Sequence, residues 1–303
     1  MKNIESTACV ILNYNDADTT ISLVKKIEDY KNIEHIVVVD NCSADHSLEK
    51  LEKISNEKVV VCQSPRNGGY GFGNNIGVQY AKEHYGAKYV LIANPDVEFE
   101  ESLVSVLQNK MQQDRSVAVV SANQRGVDGQ LKKSGWLLPE KVETILHGEV
   151  LCAILLDKIG ERKLGATPQS GWKFVDCVAG SLLMVDADVF LSVGGYDSEM
   201  FLYCEESTLG RKMMTLGKKT ALYVSESYLH NHSVTISKSY NVKGQREQLL
   251  KSTLTYLKKY CDASKFEIHM ASVLYKFGTL ELMVIKEIKR LFRRLTIKSQ
   301  APK

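Results

Sequence analysis

This 303-residue chain has no CxxC pair, no run of eighteen or more apolar residues and no surplus of one charge. Its seven cysteines (Cys9, Cys42, Cys62, Cys152, Cys177, Cys204 and Cys261) are odd in number and widely spaced. That excludes a disulfide framework and a zinc knuckle, and it points to the reducing cytoplasm. The opening MKNIESTACVILNYN carries no signal-peptide pattern, so neither export by that route nor a membrane-spanning segment is expected. A net charge of +3 implies no nucleic-acid partner. Internal repeats and low-complexity segments are also missing. What remains is ordinary globular composition, 44% hydrophobic and 25% charged, on a chain long enough to bury a large core.

Apolar runs alternate with helical patterns through the first half. Strands are expected at 8–12, 35–40, 59–63, 89–93 and 117–121, with helices at about 16–30, 47–54, 74–85 and 101–112 between them. The Val/Ile runs are continuous rather than alternating, as in strands covered on both faces. The fold class is therefore α/β, with a mostly parallel, Rossmann-like central sheet flanked by helices. Residues 122–175 show few clear periods and read as a variable lobe with long loops. Residues 241–303 read as a helical, basic extension.

In such a sheet ligands bind outside the carboxyl ends of the strands. Tyr14-Asn15, Asp40-Asn41 and Asn94-Pro95-Asp96 all fall there. Asp40 is placed to accept from a base N–H or a ribose hydroxyl, or else to cap its own turn. PRNGGYGFGNNIGV at 65–78 is a Gly-rich turn before a helix, suited to close approach of a ligand backbone or simply to a loop. It lacks the GK[ST] of a P-loop and does not open the first βα unit as a dinucleotide fingerprint does. Asp96, on a proline turn, suits a hard divalent cation shared with phosphate oxygens, or is a turn aspartate. Glu205 and Glu206 stand where a helix starts; one is a candidate general base, the alternative being acids that favour the helix dipole. His230 and His232, two apart on an extended segment, point the same way and suit a phosphate or a metal ion.

The order YN, DNxS, NxGxxxGNNxG, NPD and GGYD followed by an acidic pair resembles inverting glycosyltransferases of family 2 with the GT-A fold, nearest the rhamnosyltransferase-like branch of bacterial surface-polysaccharide synthesis. The resemblance runs from residue 8 to about 235. It implies a GT-A domain over 1–240, with a nucleotide-sugar half at 1–121 and an acceptor half at 122–240, followed by the extension at 241–303. It places Tyr14, Asn15, Asp40, Asn41, Arg66, Asn67, Gly68, Asn75, Asn94 and Asp96 on the nucleotide sugar. Asp96 stands in the family's metal motif with His230 near the diphosphate, and the implied ion is Mg²⁺ or Mn²⁺. Gly180, Ser181, Trp172 and Tyr203 fall to the acceptor. Glu206, or Glu205 beside it, takes the place of the catalytic base. Two departures stand out: Glu205-Glu206-Ser207-Thr208-Leu209 replaces the usual E-D-x-D-L, and NPD replaces a motif with two acids.

The implied donor is a dTDP- or UDP-linked sugar, with rhamnose ahead of galactofuranose, galactose or glucose, and the implied acceptor is a saccharide, lipid-linked in enzymes of this kind. A nucleotidyltransferase is the rival enzyme class, but ILNYNDADT lacks the Gly-rich, basic loop it needs after the first strand. A non-catalytic nucleotide-sugar-binding protein is the rival outside enzymes. Residues 272–295 combine apolar positions with Lys286, Lys289, Arg290, Arg293 and Arg294. This basic amphipathic pattern fits the inner face of the cell membrane, or packing on the catalytic domain or on a second subunit of a homodimer.

Overall fold

The computed structural model describes residues 5–166, 168–231 and 242–299. Strands β1 (Thr7–Asn13), β2 (His35–Asp40), β3 (Val59–Gln63) and β4 (Tyr89–Ala93) alternate with helices α1 (Ala17–Ile27), α2 (Ser47–Glu52) and α3 (Tyr70–Tyr85). Then come β5 (Val97–Glu98), α4 (Glu101–Gln113), β6 (Val117–Arg125), β7 (Gly135–Trp136), α5 (Lys141–Leu146) and α6 (Val150–Leu164). The chain continues through β8 (Trp172–Val175), β9 (Cys177–Val178), β10 (Leu182–Asp186), α7 (Ala187–Ser192), α8 (Glu205–Thr215) and β11 (Lys219–His230). Two helices follow, α9 (Val242–Tyr260) and α10 (Lys265–Ser299).

A nine-stranded sheet runs in the order β3-β2-β1-β4-β10-β6-β11-β5, with β8 added alongside β11. Strands β1 to β4 are mutually parallel and β11 is parallel to β6, whereas β10 lies antiparallel between β4 and β6. Residues alternate strictly between two cores: Cys9, Ile11, Ile36 and Val38 face one, Ala8, Val10, Val37 and Val39 the other. This is why the Val/Ile runs are continuous: every position of a doubly covered strand is apolar. The mostly parallel sheet and its flanking helices are as the sequence pattern requires, and the inserted antiparallel β10 gives the sheet its mixed character.

The chain divides into two compact units, Met1–Leu138 with Leu164–Thr235, and Pro139–Lys163 with Ile236–Lys303. This differs from a boundary at 240, because 139–163 groups with the C-terminal helices. Those residues are also not the loops expected of them. They form α5, opened by a Glu140/Glu143 capping box, and α6. In the second unit Ile145, Leu257 and Ala271 form a small core of their own.

Helix α3 begins at Tyr70, four residues before its expected start, so the Gly-rich segment is mostly helix rather than loop. Glycine is a poor helix former, which is why the pattern reads as a turn. Here the lack of a side chain lets the helix lie on the sheet: a Cβ at Gly73 would strike Leu12 and one at Gly77 would strike Val10.

Candidate active site

The edge formed by the C-terminal ends of β1, β2, β3, β4 and β11 also receives the start of the antiparallel β10, and it collects most of the nominated residues. At the β1 and β2 ends Asp40 is fully buried. Its Oδ1 accepts from Asn13 Nδ2 (2.9 Å) and Ser43 Oγ (2.6 Å), and its Oδ2 accepts from the Ser43 amide (3.0 Å). Asn41, 2% exposed, donates to Asn67 Oδ1 (3.1 Å) and the Gly69 carbonyl (3.2 Å) and accepts from Ser64 Oγ. These two side chains hold the β2 and β3 loops together, buried under the strand ends. Tyr14, Asn15, Arg66 and Asn67 keep accessible surface around them, Asn15 in the left-handed region at φ 53°. Gly68 is buried. Arg66 lies 4.7 Å from the Phe72 ring centroid. Asn75 is a brace: it donates to the Tyr196 carbonyl (2.9 Å) and accepts from the Tyr196 amide (2.8 Å), tying α3 to the GGYD turn.

After β4, the Asn94 amide donates to the Ser181 carbonyl (2.8 Å) and the Asn231 amide to the Asp96 carbonyl (2.9 Å). Strand β5 pairs with the end of β11, His230 opposite Val97. This pairing sets His230 Nε2 3.2 Å from Asp96 Oδ1, with the two side chains 7% and 17% exposed. His232 lies outside the described residues. One imidazole and one carboxylate on neighbouring strand ends suit a divalent cation that completes its shell with substrate oxygens. Among the described residues no group of three or more His, Cys, Asp and Glu could hold an ion by itself.

The acidic pair opens α8. Immediately before it, Tyr203 and Cys204 both adopt left-handed backbone, at φ 74° and 67°. Two successive residues there that are not glycine store strain, and the turn they make delivers both acids into the first helical turn. Glu206 is half-buried, and its Oε1 accepts from the Gly180 amide at 3.3 Å. Glu205 is 4% exposed, and its Oε1 finds no hydrogen-bond partner. Burial, then the neighbouring Glu206 charge, pushes the Glu205 carboxyl up to about 8. Burial also raises Glu206, against the lowering effect of its backbone hydrogen bonds. The two acids thus differ in setting: Glu205 is enclosed, with its proton affinity raised by burial, while Glu206 keeps some accessible surface.

Side chains that the sequence pattern did not nominate join these parts. Tyr70 donates from its hydroxyl to the Gly180 carbonyl (2.5 Å), and the Tyr70 amide donates to the Phe201 carbonyl (3.0 Å). The start of α3 therefore touches both the turn that faces Glu206 and the loop that precedes it. Ser181 Oγ lies 2.7 Å from the Tyr228 hydroxyl and 3.2 Å from Gln124 Oε1, in a buried network rather than at the surface. Burial keeps the Tyr228 phenol protonated, and the charges of both Glu206 and Asp96 act on it in the same sense. Tyr228 was legible from its spacing, since it stands two residues before His230 and faces the same way along the strand.

Trp172 is not part of this assembly. It pairs with Tyr223 across β8 and β11, packs against that ring (4.9 Å between centroids), and lies under Lys110 of α4. Its indole packs against an edge of the sheet core.

The family described as Glycosyl transferase family 2 matches residues 8–161. A low-salt glycan biosynthesis hexosyltransferase of Haloferax volcanii is 26% identical over 67% of this chain, which spans 60% of that protein's length. A rhamnosyltransferase of Escherichia coli K12 is 25% identical over 73% of this chain and 86% of its own. An N-acetylglucosaminyl-diphospho-decaprenol L-rhamnosyltransferase of Mycobacterium tuberculosis is 22% identical over 65% of this chain and 66% of its own. In fold, the chain is similar to GalNAc-T7 crystallised with UDP, GalNAc and Mn²⁺, at a TM-score of 0.58 and 17% identity, over 84% of this chain and 48% of the other. The architecture is that of the GT-A fold.

Proposed function

The chain belongs to glycosyltransferase family 2, and on that premise we propose that its site transfers a sugar from a nucleoside-diphosphate sugar to a saccharide hydroxyl with inversion at the anomeric carbon. The observation that carries this reading is the placement of Glu206. Its carboxylate is held by the Gly180 amide, and the strand that starts two residues later is bonded through Ser181 to the turn bearing Asp96. In the proposed reaction Glu206 takes the proton of the acceptor hydroxyl. The freed oxygen attacks the anomeric carbon, and the bond to the nucleoside diphosphate breaks on the opposite face. Proton-holding Glu205 leaves Glu206 as the base of the pair, and burial strengthens it by raising its proton affinity.

Asp96 and His230 would hold Mg²⁺ or Mn²⁺, which when bound supplies positive charge to the leaving diphosphate. Tyr14, Asn15, Arg66 and Asn67 line the nucleotide side, while Asp40, Asn41 and Asn75 keep its loops in place. Gly180 and Tyr203 lie beside the base on the acceptor side, with the Ser181 hydroxyl fixing the strand start. Two of the relatives named above are rhamnosyltransferases, one of them acting on a diphospho-decaprenol-linked sugar. This supports a rhamnose donor and a lipid-linked acceptor in bacterial cell-surface polysaccharide synthesis. The seven free cysteines agree with a cytoplasmic site of action.

The test is transfer from a panel of dTDP- and UDP-sugars to lipid-linked saccharides, with binding measured by calorimetry alongside. Glu206→Gln is expected to lose about a hundredfold or more in kcat while still binding the nucleotide sugar. Unchanged turnover in that variant removes the proposed base.

A further inference from the structure

Unpaired apolar surface is concentrated in the second unit. On α10, Phe266, Met270, Val273, Phe277, Leu280 and Val284 recur at steps of four and three, one face of a helix, and all are exposed. The opposite face is already taken, with Ala271 fully buried and Tyr275 4% exposed beneath α5 and α9. On α6, Leu151, Ile154 and Leu155 are exposed as well, Leu151 to 71%, and none of that helix's residues is buried. The two helices are fixed to each other. The Val150 amide donates to Glu281 (3.1 Å), and Arg246 donates to the Gly148 carbonyl (2.7 Å) and the Tyr275 carbonyl (3.4 Å). The first turn of α6 is therefore set beside the 278–281 turn of α10.

Charge separates the candidate occupants. Residues 139–163 and 236–303 carry 19 Lys and Arg against 10 Asp and Glu, whereas the rest of the chain carries 20 against 26. A second copy would bring two strongly positive units together across the stripe, a repulsion that an anionic surface turns into attraction. By length and composition Lys265–Ile288 could cross a bilayer, which revises the expectation that no segment could. One face of it is committed to protein contacts, however, and Lys276 is exposed within the stripe. That amphipathic division suits a helix lying in the interface plane.

We propose that α6 and α10 together form a docking surface for an anionic phospholipid bilayer, seated in the headgroup layer without spanning it. The inference stands on the second unit alone and does not depend on the transfer reaction. The experiment is co-sedimentation of the full-length protein with vesicles of phosphatidylcholine, with and without about 30% phosphatidylglycerol. Binding to the anionic vesicles is expected to be about tenfold or more the stronger. Phe277→Glu with Leu280→Glu should weaken it about tenfold or more, and Lys286→Glu with Arg290→Glu should remove the preference for anionic lipid. The second pair decides the matter if the first fails to fold, as judged by circular dichroism. No binding, equal binding to both vesicles, or binding unaffected by the substitutions overturns the proposal. So does resistance to alkaline carbonate extraction, which indicates a spanning helix. A dimer that ignores vesicles and is dissociated by Phe277→Glu with Leu280→Glu overturns it in favour of a second copy.

Discussion

Glu205 and Glu206 are adjacent in sequence and differ in environment, and the difference is measurable. A carboxyl whose folded pKa lies above its unfolded one keeps a proton that the unfolded chain has released. Stability is then full below about pH 4.5 and declines as pH rises towards about 8. Glu205→Gln should flatten that decline and be the more stable protein at pH 7, read from denaturant midpoints across pH. Transfer itself should gain with pH above the usual carboxylate range, because Glu206 must lose its proton to act. Gly180 makes a separate prediction: a Cβ there would come 2.9 Å from Glu206 Oε1. Gly180→Ala should leave the melting temperature nearly unchanged, since the flexible carboxylate moves aside, and should lower kcat about tenfold or more with little change in KM. The sequence named these acids because an acidic pair at a helix start is visible in one dimension. It left the choice between them open because burial is set by α3 and the 196–204 loop, which meet only in the fold.

Among the elements, α3 shows how a local rule yields to packing. Alanine favours helix over glycine by up to about 1 kcal/mol, so Gly77→Ala would be stabilising in isolation. Against β1 the added methyl meets Val10, and overpacking of that kind costs about 1–3 kcal/mol. A lowered denaturation midpoint in Gly77→Ala is therefore expected. Strands β1 to β4 and β6 were legible because burial on both faces makes short Val/Ile-rich runs, and these alternate with helical patterns. The insertion of β10 between β4 and β6 was not, since a buried run carries no mark of its direction. The core-edge packing of Trp172 was hidden for a related reason: a lone aromatic residue in an irregular stretch gives no sign of what it will cover.

For the molecule as a whole, the division into two units was the least legible feature. Residues 139–163 are joined in sequence to the first unit and packed in the second, and the hydrophobic pattern of so short a stretch does not name its partner. Ending the chain after residue 235 should remove the residues that cover Ile145, namely Leu257 and Ala271. Limited proteolysis of such a truncation, read by mass spectrometry, is expected to cut first within 139–163, whereas the full-length protein resists there. The charge split belongs to this scale as well: a nearly neutral chain carries opposite signs on its two units, which a net charge conceals.

That discontinuity also sets an order of events at the ribosome. Helix α5 leaves the exit tunnel early, yet the side chains that shelter Ile145 are still about a hundred codons from being translated, many seconds of waiting at ordinary elongation rates of about 5–20 residues per second. A nascent chain of this protein thus passes through a period in which a greasy segment waits, uncovered, for the partners that will bury it. Chaperone dependence during translation should be confined to that interval.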